Sequence, residues 1–384
     1  MFLTWRPGRT HLLKQVATQA CRRQCGRCPK KSPAFHRRAA LRRSLNSRRV
    51  ILAVSELALP LVNPFTIARG TVRVARSALL RLRWNDLEGF GESAPSERYG
   101  ESVESVSAFF ASHALASDDP YATELLLAGL PPGARCGLDI ALHDLTGKDI
   151  DRPLWRMLGL DPTATPVTSF TVGIDEPDKM LAKLDAIRDH PVVKVKLGFE
   201  GDVEVVRAMR ARYTGALRVD ANEAWTPEES VAKLADLERC DVEFCEQPIP
   251  AGTPERLRWI RERSRVPIVA DEDAKDARDL PALAGCVDGV NIKLVKCGGI
   301  RGALAAIATA RALDLKIMLG CMVESAILAT AAAQLSPLVD WADLDGPFLT
   351  ASDPFAGVTY AGGKIVLPGG PGLGVVEREP ASVP

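Results

Sequence analysis

A chain of 384 residues, 46% hydrophobic and 25% charged, is long enough for one large globular domain or two of ordinary size. Its formal net charge of +1 is unevenly distributed: residues 1–50 hold fourteen Lys or Arg and no acid, which leaves a net charge of −13 on the remainder. An acidic body argues against nucleic-acid binding there, and the lack of any run of 18 apolar residues argues against a membrane-spanning helix.

The basic leader, residues 1–50, has three interpretations. It is typical of an organelle transit peptide, of a charged tail for anionic partners, or of translated sequence upstream of the true start, and we expect it to be disordered or not native. It also holds Cys21, Cys25 and Cys28 at a spacing used by some iron–sulfur enzymes, which we interpret as accidental because no strand pattern precedes it. The six other cysteines stand in apolar contexts, which favours reduced thiols in a cytoplasmic protein.

Residues 51–165 predict an α+β domain. Alternating apolar and polar residues up to about Arg83 indicate antiparallel strands, interrupted by a mobile loop from Asn63 to Gly70. A Gly-rich stretch at 89–92 indicates another hairpin or loop. The pattern then becomes helical, with apolar positions recurring three and four residues apart.

Residues 166–345 predict a barrel. Apolar, β-branched segments there alternate with Ala/Leu/Arg-rich helical stretches, which is the pattern of a (β/α)7β TIM-like barrel. The segments are 167–172, 192–197, 217–220, 242–246, 267–271, 287–293, 316–320 and 339–345. The Gly- and Pro-rich tail, residues 346–384, is expected to return to the first domain and to complete an α+β capping domain with it.

Six charged residues recur at the interval of one strand plus one helix. Neighbouring members stand 22 to 26 residues apart, or 52 for the last pair, and most lie at the end of an apolar segment. Since a barrel gathers the carboxyl ends of its strands around one mouth, we expect these side chains to converge. They are Lys196, Asp220, Glu246, Asp271, Lys293 and Asp345.

Carboxylates at the ends of three consecutive strands indicate a metal site. Asp220, Glu246 and Asp271 supply the hard oxygen ligands that Mg²⁺ prefers, with positions left for water or substrate. Any one of them alone is equally typical of a helix N-cap or a loop acid. Three at matching places favour the metal.

Lysines flank these carboxylates. Lys194 and Lys196 share one face of a strand, and burial together with like charge is expected to lower a lysine pKa enough to give a base near neutral pH. Lys293 follows the sixth strand, nearly opposite. The alternatives are a solvated edge strand for the first two and a surface lysine for the third. A cation between two lysines is a proton-transfer arrangement.

The order Lys-x-Lys, Asp, Glu, Asp, Lys resembles the enolase superfamily, specifically its muconate-lactonizing subgroup, over nearly all of residues 51–375. The resemblance implies a barrel capped by the N-terminal region, which supplies specificity loops. It implies that the three carboxylates bind one Mg²⁺ per subunit and that Lys196 and Lys293 are the two acid/base catalysts. Lys194 would help to hold the substrate carboxylate and the enolate oxygens.

Asp343 and Asp345 bear on the choice within the subgroup. Two further carboxylates in the mouth ask for a positively charged substrate group, and the pair resembles the Asp-x-Asp by which dipeptide epimerases hold the substrate ammonium. The alternative is a capping or loop pair, because Gly-Pro follows directly. A cycloisomerase acting on a dianion would gain nothing from them.

The capping loops resemble those of L-Ala-D/L-Glu epimerases. In segments 65–70 and 98–102, Arg69 is placed to clamp a substrate Glu side chain through a bidentate pair, the alternative being an exposed loop cation. Four further residues fall where the family lines its substrate pocket. They are Thr171, Cys321, Met322 and Glu324.

The implied activity is Mg²⁺-dependent epimerisation of dipeptides, L-Ala-D/L-Glu of murein-peptide metabolism in particular, in a cytoplasmic homo-oligomer. It would run by two-base 1,1-proton transfer at the α-carbon of the C-terminal residue, through a metal-stabilised enediolate. N-acylamino acid racemase, o-succinylbenzoate synthase and cycloisomerase of the same subgroup stay open as alternatives. A non-catalytic binding protein on the same barrel is the more remote one.

Overall fold

The computed structural model describes residues 49–379, so the interpretations of the leader and of Cys21, Cys25 and Cys28 concern residues outside the described range. Within that range, no helix is both long and apolar enough to cross a membrane. All six cysteines of the range are free thiols, as the sequence predicts.

An antiparallel sheet in the order β1-β2-β3 forms the first layer. Its strands are β1 (Ile51–Ile67), β2 (Gly70–Trp84) and β3 (Leu87–Ser93). A 3-10 turn (Glu97–Tyr99) precedes helices that cover one face of the sheet. The helices are α1 (Val103–Ser112), α2 (Thr123–Leu127), α3 (Pro132–Asp149) and α4 (Leu154–Met157).

The expected mobile loop from Asn63 to Gly70 is wrong in extent. The β1–β2 ladder continues through the pairs Phe65↔Val72 and Ile67↔Gly70, after a register shift that begins at Pro60. Such an irregularity absorbs extra residues without ending a ladder. Only a tight two-residue turn is left between the strands.

The Gly-rich stretch at 89–92 lies in β3, the second strand of the β2–β3 hairpin, so the expected hairpin is present and the expected loop is not. Gly89 and Gly91 face α3 so closely that an added Cβ would lie 2.4 Å from the Ala141 carbonyl oxygen and 1.9 Å from that of Gly137. Glycine is present because a helix backbone packs directly on the strand. Strand alternation places both glycines on the same face.

Eight parallel strands form the second sheet, which confirms the predicted barrel. A parallel bridge between Thr168 and Ala342 joins its two edge strands and closes it. The strands are β4 (Phe170–Val172), β5 (Val192–Lys196), β6 (Ala216–Asp220), β7 (Val242–Glu246), β8 (Ile268–Ala270), β9 (Gly289–Ile292), β10 (Lys316–Gly320) and β11 (Trp341–Asp343).

Helices follow the barrel strands along the chain, and a short 3-10 turn (Ser336–Leu338) precedes the last barrel strand, β11. The helices are α5 (Pro177–Ala186), α6 (Asp202–Arg210), α7 (Pro227–Glu238), α8 (Pro254–Arg261), α9 (Leu280–Leu283), α10 (Leu294–Cys297), α11 (Ile300–Ala312), α12 (Ala326–Ala333) and α13 (Gly346–Leu349).

The tail contacts the N-terminal sheet. Arg81 pairs with Glu377 at 2.5 Å, and the Phe355 ring lies 5.3 Å from that of Phe90, between centroids. The tail strands are β12 (Phe355–Ala356), β13 (Thr359–Ala361), β14 (Lys364–Val366) and β15 (Val376–Glu377), of which β12 pairs with β15 and β13 with β14.

Glu92 of β3 joins the sheet to the barrel. Its buried carboxylate accepts hydrogen bonds from Ser77 Oγ (2.7 Å) and from the backbone N–H groups of Ser325 (3.0 Å) and Leu328 (3.1 Å). The last two belong to the N-terminus of α12, where a helix favours negative charge. Because α12 begins just after the carboxyl end of β10, this contact anchors the sheet on the mouth side of the barrel.

Replacing Gly91 with alanine is expected to lower the free energy of unfolding by about 3 kcal/mol, because the added methyl group overlaps the backbone of α3. Guanidinium unfolding of the full chain measures it. Gly369→Ala is the matched control: no atom lies within 4 Å of its added Cβ, so a change below about 0.5 kcal/mol is expected. Equal stability of the two variants would contradict the close packing of β3 on α3.

Candidate active site

Strand alternation arranges the barrel interior in layers. Phe244, Val269 and Met318 form a buried apolar cluster against Trp341, with the Arg218 guanidinium 5.3 Å from the Phe244 ring centre. This layer closes the floor of the barrel. Two residues further along the same strands, on the same face, come Asp220, Glu246, Asp271, Gly320 and Asp343.

Lys194 lies at the centre of the charged layer and is 1% exposed. Its Nζ is 2.6 Å from Glu246 Oε2, 2.6 Å from Asp343 Oδ2 and 3.3 Å from Asp220 Oδ2. Burial alone would lower the pKa of Lys194, but the three carboxylates outweigh it and raise that pKa well above its ordinary value. The expectation of a lowered pKa from two neighbouring lysines is therefore wrong for Lys194, which is a fixed cation here.

Lys196 and Lys293 lie on opposite sides of the mouth, because β5 and β9 are four positions apart in a closed barrel of eight strands. Lys196 Nζ is 2.6 Å from Asp220 Oδ2, and Lys293 Nζ is 2.8 Å from Asp271 Oδ2. Both lysines are 8% exposed, so each is largely buried but still in contact with solvent.

Asp220, Glu246 and Asp271 are at most 1% exposed and lie at the ends of β6, β7 and β8. Burial and the neighbouring Asp220 charge raise the pKa of Glu246 to about 7. Burial also opposes the charge of Asp271, but Lys293 and Lys296 lower its pKa well below the usual range. Three buried carboxylates on adjacent strands are thus held by lysine ammonium groups.

These carboxylates suit Mg²⁺ by their chemistry. Glu246 Oε2 is buried without a hydrogen bond and lies 2.6 Å from the Lys194 ammonium nitrogen, so it is an oxygen that a cation can take. In residues 49–379, no three potential ligands are already drawn together around one point. The donor set fits Mg²⁺, whereas its closure around an ion requires the lysines to give up contacts.

Sequence reasoning missed two residues that hold the carboxylates. Lys296 Nζ lies 2.5 Å from Asp271 Oδ1 and 3.0 Å from the Asn291 carbonyl oxygen, and Asn291 Nδ2 donates to Glu246 Oε1 at 2.7 Å. A signal for Asn291 was present, since it precedes Lys293 by two on one strand face. Lys296 gave none, because it depends on the single turn of α10.

The Asp343–Asp345 segment points inward because its middle residue is held from both sides. Thr168 Oγ1 accepts from the Leu344 N–H at 2.7 Å, and the Tyr360 hydroxyl donates to the Leu344 carbonyl at 2.6 Å. Asp343 accepts from Lys194 and from the Ser169 hydroxyl. Asp345 stands at the N-cap position of α13, but its side chain makes no capping hydrogen bond, and the pair lies inside the mouth.

The two aspartates differ in their electrostatic surroundings. Burial opposes the charge of Asp343, but Lys194 lowers its pKa to about 2. Burial and the Asp343 charge together raise the pKa of Asp345 to about 6. Asp345 accepts from the Thr171 N–H at 2.7 Å, and Cys321 Sγ lies 3.9 Å from its Oδ1. Asp345 is thus the aspartate that still lacks a cation.

The remaining residues predicted to line the substrate pocket make contacts within the protein. The buried Glu324 accepts from the N–H of Met322 at 3.0 Å within their own loop, and burial raises its pKa well above the ordinary value. Arg69 Nη1 contacts Glu223 (3.0 Å) and Glu272 (2.8 Å), both outside the sequence-predicted set. Arg69 is therefore already paired with carboxylates of the barrel.

Comparison with known proteins places this geometry in a family. Residues 50–159 match the family described as mandelate racemase / muconate lactonizing enzyme, N-terminal domain. Residues 179–381 match the one described as enolase C-terminal domain-like. An L-Ala-D/L-Glu epimerase of Bacteroides thetaiotaomicron is 36% identical over 328 residues, which cover 83% of this chain and 86% of that protein.

Two solved structures of enzymes with different substrates resemble this chain. A dipeptide epimerase from Cytophaga hutchinsonii, complexed with Mg and D-Ala-L-Val, is 30% identical, with a TM-score of 0.79 over 87% of this chain and 97% of that one. An N-succinyl Arg/Lys racemase from Bacillus cereus is 26% identical, with a TM-score of 0.81 over 86% and 96%. Their folds match this chain about equally well. The chain belongs to the enolase superfamily.

Proposed function

We propose that the chain is a Mg²⁺-dependent dipeptide epimerase. The observation that carries the proposal is the arrangement of four sets of charged side chains around the barrel mouth, two lysines and two groups of carboxylates. Lys196 and Lys293 face each other across it, and the three carboxylates on β6 to β8 lie on one side between them. The Asp343–Asp345 segment lies at β11, four strand positions from β7 and thus on the opposite side.

A free dipeptide has the matching charges. Its C-terminal carboxylate suits a cation held by the three carboxylates, and its N-terminal ammonium suits Asp345. If the dipeptide binds across the mouth with its carboxylate at the cation and its ammonium at Asp345, its C-terminal α-carbon lies between Lys196 and Lys293. The resemblance to dipeptide epimerases in sequence supports the same assignment.

The two lysines would exchange the α-proton between faces. One neutral amine removes the proton from one face, and the opposite ammonium delivers a proton to the other, which inverts the carbon. Mg²⁺, when bound by Asp220, Glu246 and Asp271, supplies charge stabilisation for the substrate carboxylate as the proton leaves. Lys194 holds Glu246 and Asp343 in place around that site.

An N-acylamino acid racemase is the alternative with support from the fold. The match to the N-succinyl Arg/Lys racemase is as good as that to the epimerases. An acylated amine carries no positive charge, however, and would leave the buried Asp345 without a cation, at a cost in free energy. The Asp345 position favours the dipeptide.

Three finer assignments stay predictions: L-Ala-D/L-Glu of murein-peptide metabolism as the preferred substrate, a cytoplasmic location and a homo-oligomeric state. Arg69 as the clamp for a substrate Glu side chain is a fourth. Arg69 uses its Nη1 atom to contact Asn222, Glu223 and Glu272, so its Nη2 atom is the donor proposed for a substrate carboxylate.

Lys196→Ala and Lys293→Ala are each expected to lower the epimerisation rate of L-Ala-L-Glu about 10³-fold, because each removes one of the two positioned proton carriers. Polarimetry follows the reaction. Lys179→Ala removes an exposed lysine of α5 and is expected to keep wild-type activity. A catalytic variant that stays within about tenfold of wild type contradicts the two-base assignment.

The preference for a free amine is the ratio of kcat/KM for L-Ala-L-Glu to kcat/KM for N-acetyl-L-Ala-L-Glu. Asp345→Asn is expected to lower this ratio about 10-fold or more, because a charge-assisted hydrogen bond to the substrate ammonium is lost. Asp345 is preferred to Asp343 for this test, since Asp343 also holds Lys194. Asp175→Asn, at an exposed aspartate, serves as the control. An unchanged preference for the free amine removes the ammonium-binding role.

Chelation of divalent cations is expected to abolish turnover, and Mg²⁺ is expected to restore it better than Ca²⁺, since a larger ion suits a compact three-carboxylate site less well. Calorimetry of Mg²⁺ binding gives a readout apart from activity. Glu246→Gln is expected to weaken that binding about tenfold or more. Full turnover in excess chelator would exclude a metal role.

A further inference from the structure

Glu223 is a polar hub that sequence reasoning did not identify. It follows Asp220 by three residues and its side chain is 9% exposed. Its Oε1 accepts from Arg98 Nη2 (2.6 Å) and from the Ala251 N–H (2.9 Å), and its Oε2 from Arg98 Nε (2.9 Å) and Arg69 Nη1 (3.0 Å). One carboxylate thus accepts four hydrogen bonds.

The two arginines come from separate parts of the capping sheet. Arg69 lies in the turn between β1 and β2, and Arg98 lies in the 3-10 turn that follows β3. Bidentate and charge-assisted contacts of this kind are the strongest that an arginine makes. Both capping loops therefore meet on a single side chain of the barrel.

The backbone at Glu223 adopts an unfavourable conformation to make these contacts. Asn222 and Glu223 have φ angles of +46° and +70°, a region that residues with a side chain rarely occupy. The Asn222 N–H donates to Asp220 Oδ1 at 2.8 Å, and the Glu223 N–H to the Gln247 carbonyl at 2.9 Å. Strained conformations held by surrounding contacts are typical of functional sites.

The loop that Arg98 belongs to also carries a half-buried tyrosine. Tyr99 follows directly, and burial together with the Asp271 charge raises the pKa of its hydroxyl. Tyr99 and Arg98 line a cavity of about 640 Å³ beside Glu272 and Asp273. The loop thus forms part of the wall of a cavity next to Glu272, which directly follows Asp271 along the chain.

We propose that Glu223 is a latch: a positioning residue that holds both capping loops closed over the barrel mouth and so places Arg69 and Tyr99 against the substrate. The effect on loop closure follows from the structure alone. The effect on substrate affinity rests on the proposed function. Neither loop residue needs to take part in proton transfer.

Hydrogen exchange read by mass spectrometry tests the latch in the full chain. Glu223→Gln is expected to speed exchange about tenfold in peptides covering 96–101, because the isosteric amide cannot form the bidentate pair with Arg98, and by less in 64–72, because Arg69 keeps its contact with Glu272 at 2.8 Å. Arg98→Gln is expected to speed exchange only in 96–101, since Arg69 keeps its partner. Barrel-strand peptides with unchanged exchange show that each variant is folded.

Glu56→Gln is the matched control, because it breaks an equally short bidentate pair with Arg76 on the same hairpin, away from the mouth. It is expected to leave exchange in both loops unchanged. Wild-type exchange of both loops in Glu223→Gln overturns the latch.

Kinetics tests the positioning role. Glu223→Gln is expected to raise KM for L-Ala-L-Glu about tenfold with kcat within about threefold of wild type, as for a loss of uniform binding. Faster loop exchange with an unchanged KM would contradict that role. If the wild-type chain epimerises no dipeptide, the proposed function fails, and the exchange experiment still decides the latch.

Discussion

The Lys194 ammonium is the interaction on which the site depends. It is buried and contacts three carboxylates from three strands, with Glu246 and Asp343 approaching from opposite sides of the barrel. Without the lysine, these acids would be buried charges of one sign in a small volume, which is costly. Lys194 therefore makes it possible to gather the proposed metal ligands and the Asp343–Asp345 pair in one mouth.

Around this centre, strand geometry distributes the functions. Alternation puts an apolar layer at the floor and a charged layer two residues above it. Closure at Thr168 and Ala342 then sets β5 opposite β9 and β7 opposite β11. The positions of the proposed proton carriers and of the two groups of carboxylates therefore follow from strand order alone. The capping sheet, anchored by Glu92, adds the loops that cover them.

The sequence predicted features that repeat along the chain, but it did not predict contacts between residues that are far apart in the chain. The recurring interval predicted the barrel and the convergence of Lys196, Asp220, Glu246, Asp271 and Lys293, since each is local to its own strand end. It could not predict that Asp343 pairs with Lys194, because this contact exists only after the barrel closes. The sequence also could not show why residues 89 and 91 are glycine, because the helix that packs on them lies some 50 residues further on. Glu223 gave no signal, since its partners come from another domain.

The central claim is that Lys196 and Lys293 act on opposite faces of one carbon. NMR in D₂O, with L-Ala-L-Glu and L-Ala-D-Glu as separate substrates, tests it most directly. In each single Lys→Ala variant, the remaining lysine is expected to exchange the α-proton of one epimer without inverting it, and the two variants are expected to select opposite epimers. Exchange of both epimers by either variant, or of the same epimer by both, would contradict the account.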